Sequence, residues 1–171
     1  AGPRRLDPAP DPLRLLTAVC SYCGCQSIDV IGRFTAEHEE IINATGMLRR
    51  AAQAGRIYEV AELVDEVAGL LTPHTDAEEV GLFTVLRRDE DFTEYVDALC
   101  GEHVTLDELL ERIRAGESDL ADRFYKELRS HIEREEDGLF PASLTTLRGD
   151  DWTEVDELTA AASPTSPLAS P

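Results

Sequence analysis

Positive charge is scarce in this chain. Sixteen Lys and Arg stand against 35 Asp and Glu in 171 residues, a net charge of −19. Such a field repels phosphate backbones and anionic lipid surfaces alike, so neither nucleic acid nor membrane is an expected partner. Long apolar runs are missing too. No stretch approaches the roughly 20 residues of a membrane span, and the N-terminus lacks the charged-then-apolar pattern of a secretion signal. The expectation is a cytoplasmic protein. Nothing reads as a strand. Cysteine is limited to four, with Cys20, Cys23 and Cys25 clustered and Cys100 far away.

What is present is one stretch written twice. His74-Thr-Asp-Ala-Glu78-Glu79-Val-Gly81-Leu82-Phe83 and His131-Ile-Glu-Arg-Glu135-Glu136-Asp-Gly138-Leu139-Phe140 both read HxxxEExGLF. In a helix, residues four apart share a face about 6 Å apart along the axis, so each copy aims an imidazole and a carboxylate at one point. That is a metal-ligand pattern. Each copy follows a Glu-His pair on an earlier amphipathic segment, Glu37-His38 and Glu102-His103. The chain therefore reads as a duplicated helical hairpin with one histidine per helix.

A hydrophobic content of 42% supports one sizeable core and one domain. Residues 1–18 carry Pro3, Pro8, Pro10 and Pro12 and read as a disordered tail, followed by a Cys-rich segment over 19–27. Ile31, Phe34, Ile41, Ile42 and Leu48 repeat near 3.6 residues around His38, which predicts helix one, stopped by Gly55. Helix two is expected from Ile57 to Arg87, with a kink or break at Pro73. Asp89-Glu90-Asp91 can cap helix three, from Phe92 to Arg114 and stopped by Gly116; Ser118 or Asp119 caps helix four, which ends at Pro141. The fold expected is all-α, an up-down-up-down four-helix bundle over 28–141. A C-terminal extension over 142–162 holds Trp152 and a turn or two of helix, and a Ser/Pro/Thr-rich tail runs from 163 to 171.

Each histidine sits on an apolar stripe. His38 has Ile31, Phe34 and Ile41; His74 has Val67, Leu71 and Leu82; His103 has Val96, Leu99 and Leu106; His131 has Phe124, Leu128 and Leu139. All four face the core, with Glu78, Glu135 and, at i+4 from His103, Asp107 as accompanying carboxylates. Burying unpaired charges costs several kcal/mol each, and a bound cation pair removes that penalty. Glu79 and Glu136 lie about 100° further round the helix, where they are solvated or support the ligands from behind. The bland alternative is a bundle whose core histidines are only hydrogen-bonded.

A lone His, then HxxxE, then a lone His, then HxxxE on four helices resembles the hemerythrin-like (HHE cation-binding) family, in particular its bacterial members, over about residues 28–141. The resemblance implies a four-helix bundle with an oxo- or hydroxo-bridged pair of non-heme irons. His38 and His74 would hold one iron and His103 and His131 the other, with Glu78 and Glu135 bridging. The oxygen-carrying members have a fifth histidine where this chain has Asp107, and a longer last motif, a spacing that Glu136 rather than Glu135 would match. Glu135 corresponds to Glu78 in the repeat and is preferred. The ferritin-type Glu-x-x-His signature is not seen in the required pattern.

On this reading about two of twelve positions on two six-coordinate irons stay exchangeable. The expected ligands are oxygen, hydrogen peroxide or nitric oxide. The function implied is reaction with oxygen or peroxide, in catalase-like or oxidase fashion, with peroxide removal in oxidative stress. The alternative is a module that senses or binds oxygen, nitric oxide or iron without turnover. Cys20, Cys23 and Cys25 offer three thiolates for a second metal or a redox site, with Cys100 as a distant fourth. Some members of the family begin with a similar Cys-rich segment, and Val19 is then the expected translational start.

Overall fold

The computed structural model describes residues 28–162. The expectations for the tails and for Cys20, Cys23 and Cys25 lie outside the described residues. The elements run α1 (Asp29–Gln53), α2 (Ile57–Glu78), a π-turn (Glu79–Phe83), α3 (Thr84–Leu86), α4 (Glu90–Arg114), a short 3-10 turn (Ser118–Leu120), α5 (Ala121–Arg134), a second π-turn (Glu135–Leu139), α6 (Phe140–Thr146) and α7 (Gly149–Ala162). The bundle's long helices are α1, then α2 carried through its π-turn into α3, then α4, then α5 carried likewise into α6. Among the described residues there is no strand, and no helix is long and apolar enough to cross a membrane.

The helix ends follow the local chemistry. Gly55 and Gly116 take positive φ values of 67° and 112°, which residues with a Cβ rarely adopt. Each closes its helix by the same pair of bonds: Gly55 N to Ala52 O with Arg56 N to Ala51 O, and Gly116 N to Ile113 O with Glu117 N to Arg112 O. Asp89 caps α4 by accepting from Asp91 N at 3.0 Å. Neither Ser118 nor Asp119 caps the fourth helix; they form the 3-10 turn that leads into α5.

Both prolines behave differently from expectation. Helix α2 runs unbroken through Pro73, so the break is not there; the irregularity begins at Glu79, as the π-turn. Pro141 does not end the fourth helix. It occupies the first turn of α6, where its missing N–H and fixed φ fit a fresh α-helical start after the π-turn, and the helix continues to Thr146. The C-terminal extension is larger than one or two turns. Its helix α7 has 14 residues, buries Val155 and Thr159, and packs Trp152 and Leu158 against the bundle.

The core is two apolar layers with a polar one between them. One layer holds Ile41, Leu48, Val64, Leu71, Leu106, Phe124 and Leu128, the other Ile31, Phe34, Leu82, Phe83, Leu99, Leu139 and Phe140. Along every helix the histidine is the point where the chain passes from one layer to the other. Phe34 precedes His38 and Ile41 follows it, while Leu71 precedes His74 and Ala77 follows it.

Candidate metal centre

All four histidines and both i+4 glutamates are buried, Glu78 and Glu135 fully so. They form two groups with potential ligand atoms within 4.8 Å of one another: His38, His74, Glu78 and Glu135 in one, His103, His131, Glu78 and Glu135 in the other. The glutamates belong to both. Glu78 turns Oε1 toward His74 Nε2 at 3.3 Å and His38 Nε2 at 3.7 Å, and Oε2 toward His103 Nε2 at 3.5 Å. Glu135 mirrors it, with Oε2 3.2 Å from His38 Nε2 and Oε1 3.3 Å from His131 Nε2. Each carboxylate therefore spans the two histidine pairs.

The histidines are held from behind. Nδ1 of His38 pairs with Glu136 at 2.9 Å, of His74 with Glu37 at 2.8 Å, of His103 with Glu79 at 2.8 Å and of His131 with Glu102 at 2.9 Å. An ionised carboxylate can only accept, so each ring carries hydrogen on Nδ1 and turns Nε2 to the centre. Phe140 stacks on His38 at 6.0 Å and Phe83 on His103 at 5.8 Å, one from each copy of the motif, while Phe34 meets His74 edge-on at 5.5 Å.

The π-turns are what let Glu78–Glu79 and Glu135–Glu136 share this work. In an α-helix adjacent residues diverge by about 100°. A π-turn fits an extra residue into the turn and narrows that divergence, so the first glutamate faces the centre and the second reaches a histidine on the next helix. The backbone signature is the bond from Phe140 N to Glu135 O, one residue longer than α-helical.

Charge in the centre is strongly coupled. Burial pushes the His38 pKa down, but the carboxylates of Glu135, Glu136 and Glu78 beside the ring outweigh it and raise it well above the ordinary value. Burial likewise opposes a charge on His131, and Glu135 and Glu78 reverse the sign. Burial pushes the Glu135 carboxyl up, whereas His131 and His38 bring it far below the ordinary carboxylate range. Two buried carboxylates thus demand positive charge beside them.

The donor set fits a metal pair. His38 Nε2, His74 Nε2 and all four oxygens of Glu78 and Glu135 are buried without a hydrogen-bond partner, a costly state that cations relieve. His103 Nε2 and His131 Nε2 are 3.0 Å apart. Two imidazoles on adjacent positions of one ion, each at about 2.1 Å, stand about 3 Å apart. Mixed imidazole and carboxylate donors suit iron, zinc or manganese rather than calcium.

Every sequence-derived ligand candidate but Asp107 and the outlying cysteines is brought into the centre. Asp107 is exposed on α4 and belongs to neither group. Asp107 lies about 40° round α4 from His103, and the inward position on that turn is taken by Leu106 instead. Cys100 is half-buried rather than interior, and its Sγ accepts from Arg87 Nη2 at 3.3 Å. Glu135, not Glu136, joins the groups, and Glu136 backs His38 instead. The roles of Glu37 and Glu102 were not read from the sequence, although the repeated Glu-His dipeptide was their signal.

Neither the curated proteins nor the solved structures return a match to this chain. The family model that does match, the hemerythrin HHE cation binding domain, covers residues 29–143, and so the chain belongs to the hemerythrin HHE cation-binding domain family.

Proposed function

We propose that the protein holds two non-heme irons and decomposes hydrogen peroxide, with reaction toward oxygen as a second capacity of the same centre. The observation that carries this reading is the pair of fully buried carboxylates that each turn one oxygen to each histidine pair. His38 and His74 would hold one iron, His103 and His131 the other, with Glu78 and Glu135 shared. When bound, an iron pair supplies the two-electron exchange by which one peroxide is reduced to water while another is oxidised to oxygen. The chain's own contribution is positioning, charge and exclusion.

Phe34, Phe83, Phe140 and Leu82 close the centre on one side, and Leu71, Leu106 and Leu128 on the other. Small neutral molecules pass such a shell where bulky or charged ones do not. Two clefts reach the outer edges of the histidines. One, of about 260 Å³, lies between α1 and α2 and is lined by Arg33, Glu37, Gly69, Pro73 and His74. The other, of about 90 Å³, lies between α4 and α5 beside Glu102, Ser130 and His131. The wider cleft makes the His38/His74 side the easier approach.

The test is an oxygen electrode on iron-loaded protein given hydrogen peroxide. Wild type should release oxygen well above free iron, and His131→Ala should not. Peroxide turnover equal to free iron, with a stable reversible oxygen adduct, would move the assignment to a sensing or binding module. One observation favours that second reading: α7, beyond the matched domain, packs on the π-turn that carries Glu79 and so offers a path from the centre to an outer surface.

A further inference from the structure

The four glutamates behind the histidines form a closed circuit with one direction. Glu37 on α1 holds His74 on α2. Glu79, where α2 enters its π-turn, holds His103 on α4. Glu102 on α4 holds His131 on α5, and Glu136 in the second π-turn returns to His38 on α1. Each bundle helix gives one carboxylate forward and receives one on its own histidine.

The circuit has two kinds of link. Glu37 and Glu102 each stand beside the histidine of their own helix and hold the other member of the same pair. Each is itself fixed by an arginine, Glu37 by Arg33 at 3.2 Å and Glu102 by Arg134. Glu79 and Glu136 instead follow Glu78 and Glu135 directly and reach across from one pair to the other. A shift of either moves a shared carboxylate and a histidine of the opposite pair together.

We propose that Glu37, Glu79, Glu102 and Glu136 are positioning residues acting as one ring, in which Glu37 and Glu102 each order one histidine pair while Glu79 and Glu136 couple the pairs into a single cooperative binding unit. The chemistry is tautomer selection. A carboxylate on Nδ1 fixes the hydrogen there, raises the basicity of Nε2 and stops the ring from turning over. Loss of such a partner typically costs about 10–100-fold in metal affinity.

The inference rests on metal binding by the two groups and is tested with cobalt(II), whose visible absorption reports each ion as it binds. Wild type should take up two ions cooperatively. Glu37→Ala and Glu102→Ala should each weaken one ion by about 10–100-fold and leave the other within a few-fold. Glu79→Ala and Glu136→Ala should weaken both and abolish cooperativity. Glu→Gln at each position keeps an acceptor oxygen and should recover most of the affinity, which separates positioning from misfolding. In zinc-loaded protein with ¹⁵N-labelled histidine, all four rings should carry hydrogen on Nδ1. Alanine variants that bind both ions like wild type, or rings protonated on Nε2 in the loaded protein, overturn the ring while leaving metal binding intact. A wild-type chain that takes up no cobalt overturns the metal reading and the ring with it.

Discussion

His103 Nε2 lies 3.0 Å from His131 Nε2, while the opposite nitrogen of each ring is held by a glutamate of another helix. Two lone pairs at that distance repel unless a proton or a metal ion lies with them. The bound state should therefore be the more stable one. A ligand at 100 times its Kd adds about 2.7 kcal/mol, and at roughly 2–4 °C per kcal/mol the melting temperature should fall by about 5–10 °C on chelation. Calorimetry before and after chelation, with metal analysis giving two ions per chain, checks this. Full metal retention in the His74→Ala, His131→Ala double variant would refute the assignment of these ligands.

Gly81 and Gly138 occupy the same place in the two motif copies but face different neighbours. A Cβ on Gly81 would collide with Thr159 Oγ1 and press on Thr159 Cβ at 3.3 Å, so the Thr159 side chain would have to turn and α7 to give by a few tenths of an ångström. Gly81→Ala should cost about 1–3 kcal/mol, as overpacking does, and Thr159→Ala should restore part of it. A Cβ on Gly138 meets only the Tyr95 phenol, Oη at 2.7 Å and Cζ at 3.6 Å. The phenol can swing away and give up its bond to Arg134 O, a loss of about 1 kcal/mol that the better helix propensity of alanine offsets by a similar amount. Thermal melts of the two variants should differ clearly; equal melts would mean that α7 is not seated on the first π-turn.

Why the ligands were legible and their supports were not is a matter of periodicity. His74 and Glu78, or His131 and Glu135, declare themselves on one helix face because i and i+4 share it. The Gly55 and Gly116 stops are equally local. Glu37 and His74 meet only because two helices pack, and no single-helix pattern ties them. The π-turns are hidden for the same reason: the wider turn is poor local geometry that the Glu79–His103 and Glu136–His38 contacts make worthwhile. Helix α7 was under-read because its buried positions, Val155 and Thr159, are few and acquire meaning only against Gly81.

Cys100 offers a test of the outer surface of the centre. Burial pushes its thiol pKa up and Glu79 pushes it further, while Arg87 opposes both. At pH 8 it should react with iodoacetamide more slowly than an unperturbed thiol, because the thiolate is the reactive form. Glu79→Gln should speed the reaction and Arg87→Ala slow it. Peptide mass mapping reads Cys100 separately from Cys20, Cys23 and Cys25; labelling at the free-cysteine rate would contradict the burial.

Asp107 gives the cleanest separation between a ligand and a bystander. Its carboxyl pKa is raised first by partial loss of hydration against the helix surface and then by the charges of Asp76, Glu111 and Glu79, against the pull of His103. The folded chain thus holds the Asp107 proton more tightly than the unfolded chain does, and ionisation of this group opposes folding. The contribution is favourable below the unfolded value near 3.8 and is lost as pH rises through the higher folded value. Asp107→Asn should accordingly be slightly more stable than wild type at pH 7, within about 0.5 kcal/mol as for other surface changes. That advantage should shrink through the higher folded value and vanish as pH falls below 3.8, where both states of wild type become protonated. The same variant should keep both metal ions and an unchanged spectrum, because Asp107 is in neither group. Urea titrations of the metal-free proteins at the two pH values, beside metal analysis of the loaded ones, read both effects. Loss of one metal equivalent in Asp107→Asn would bring Asp107 into the centre.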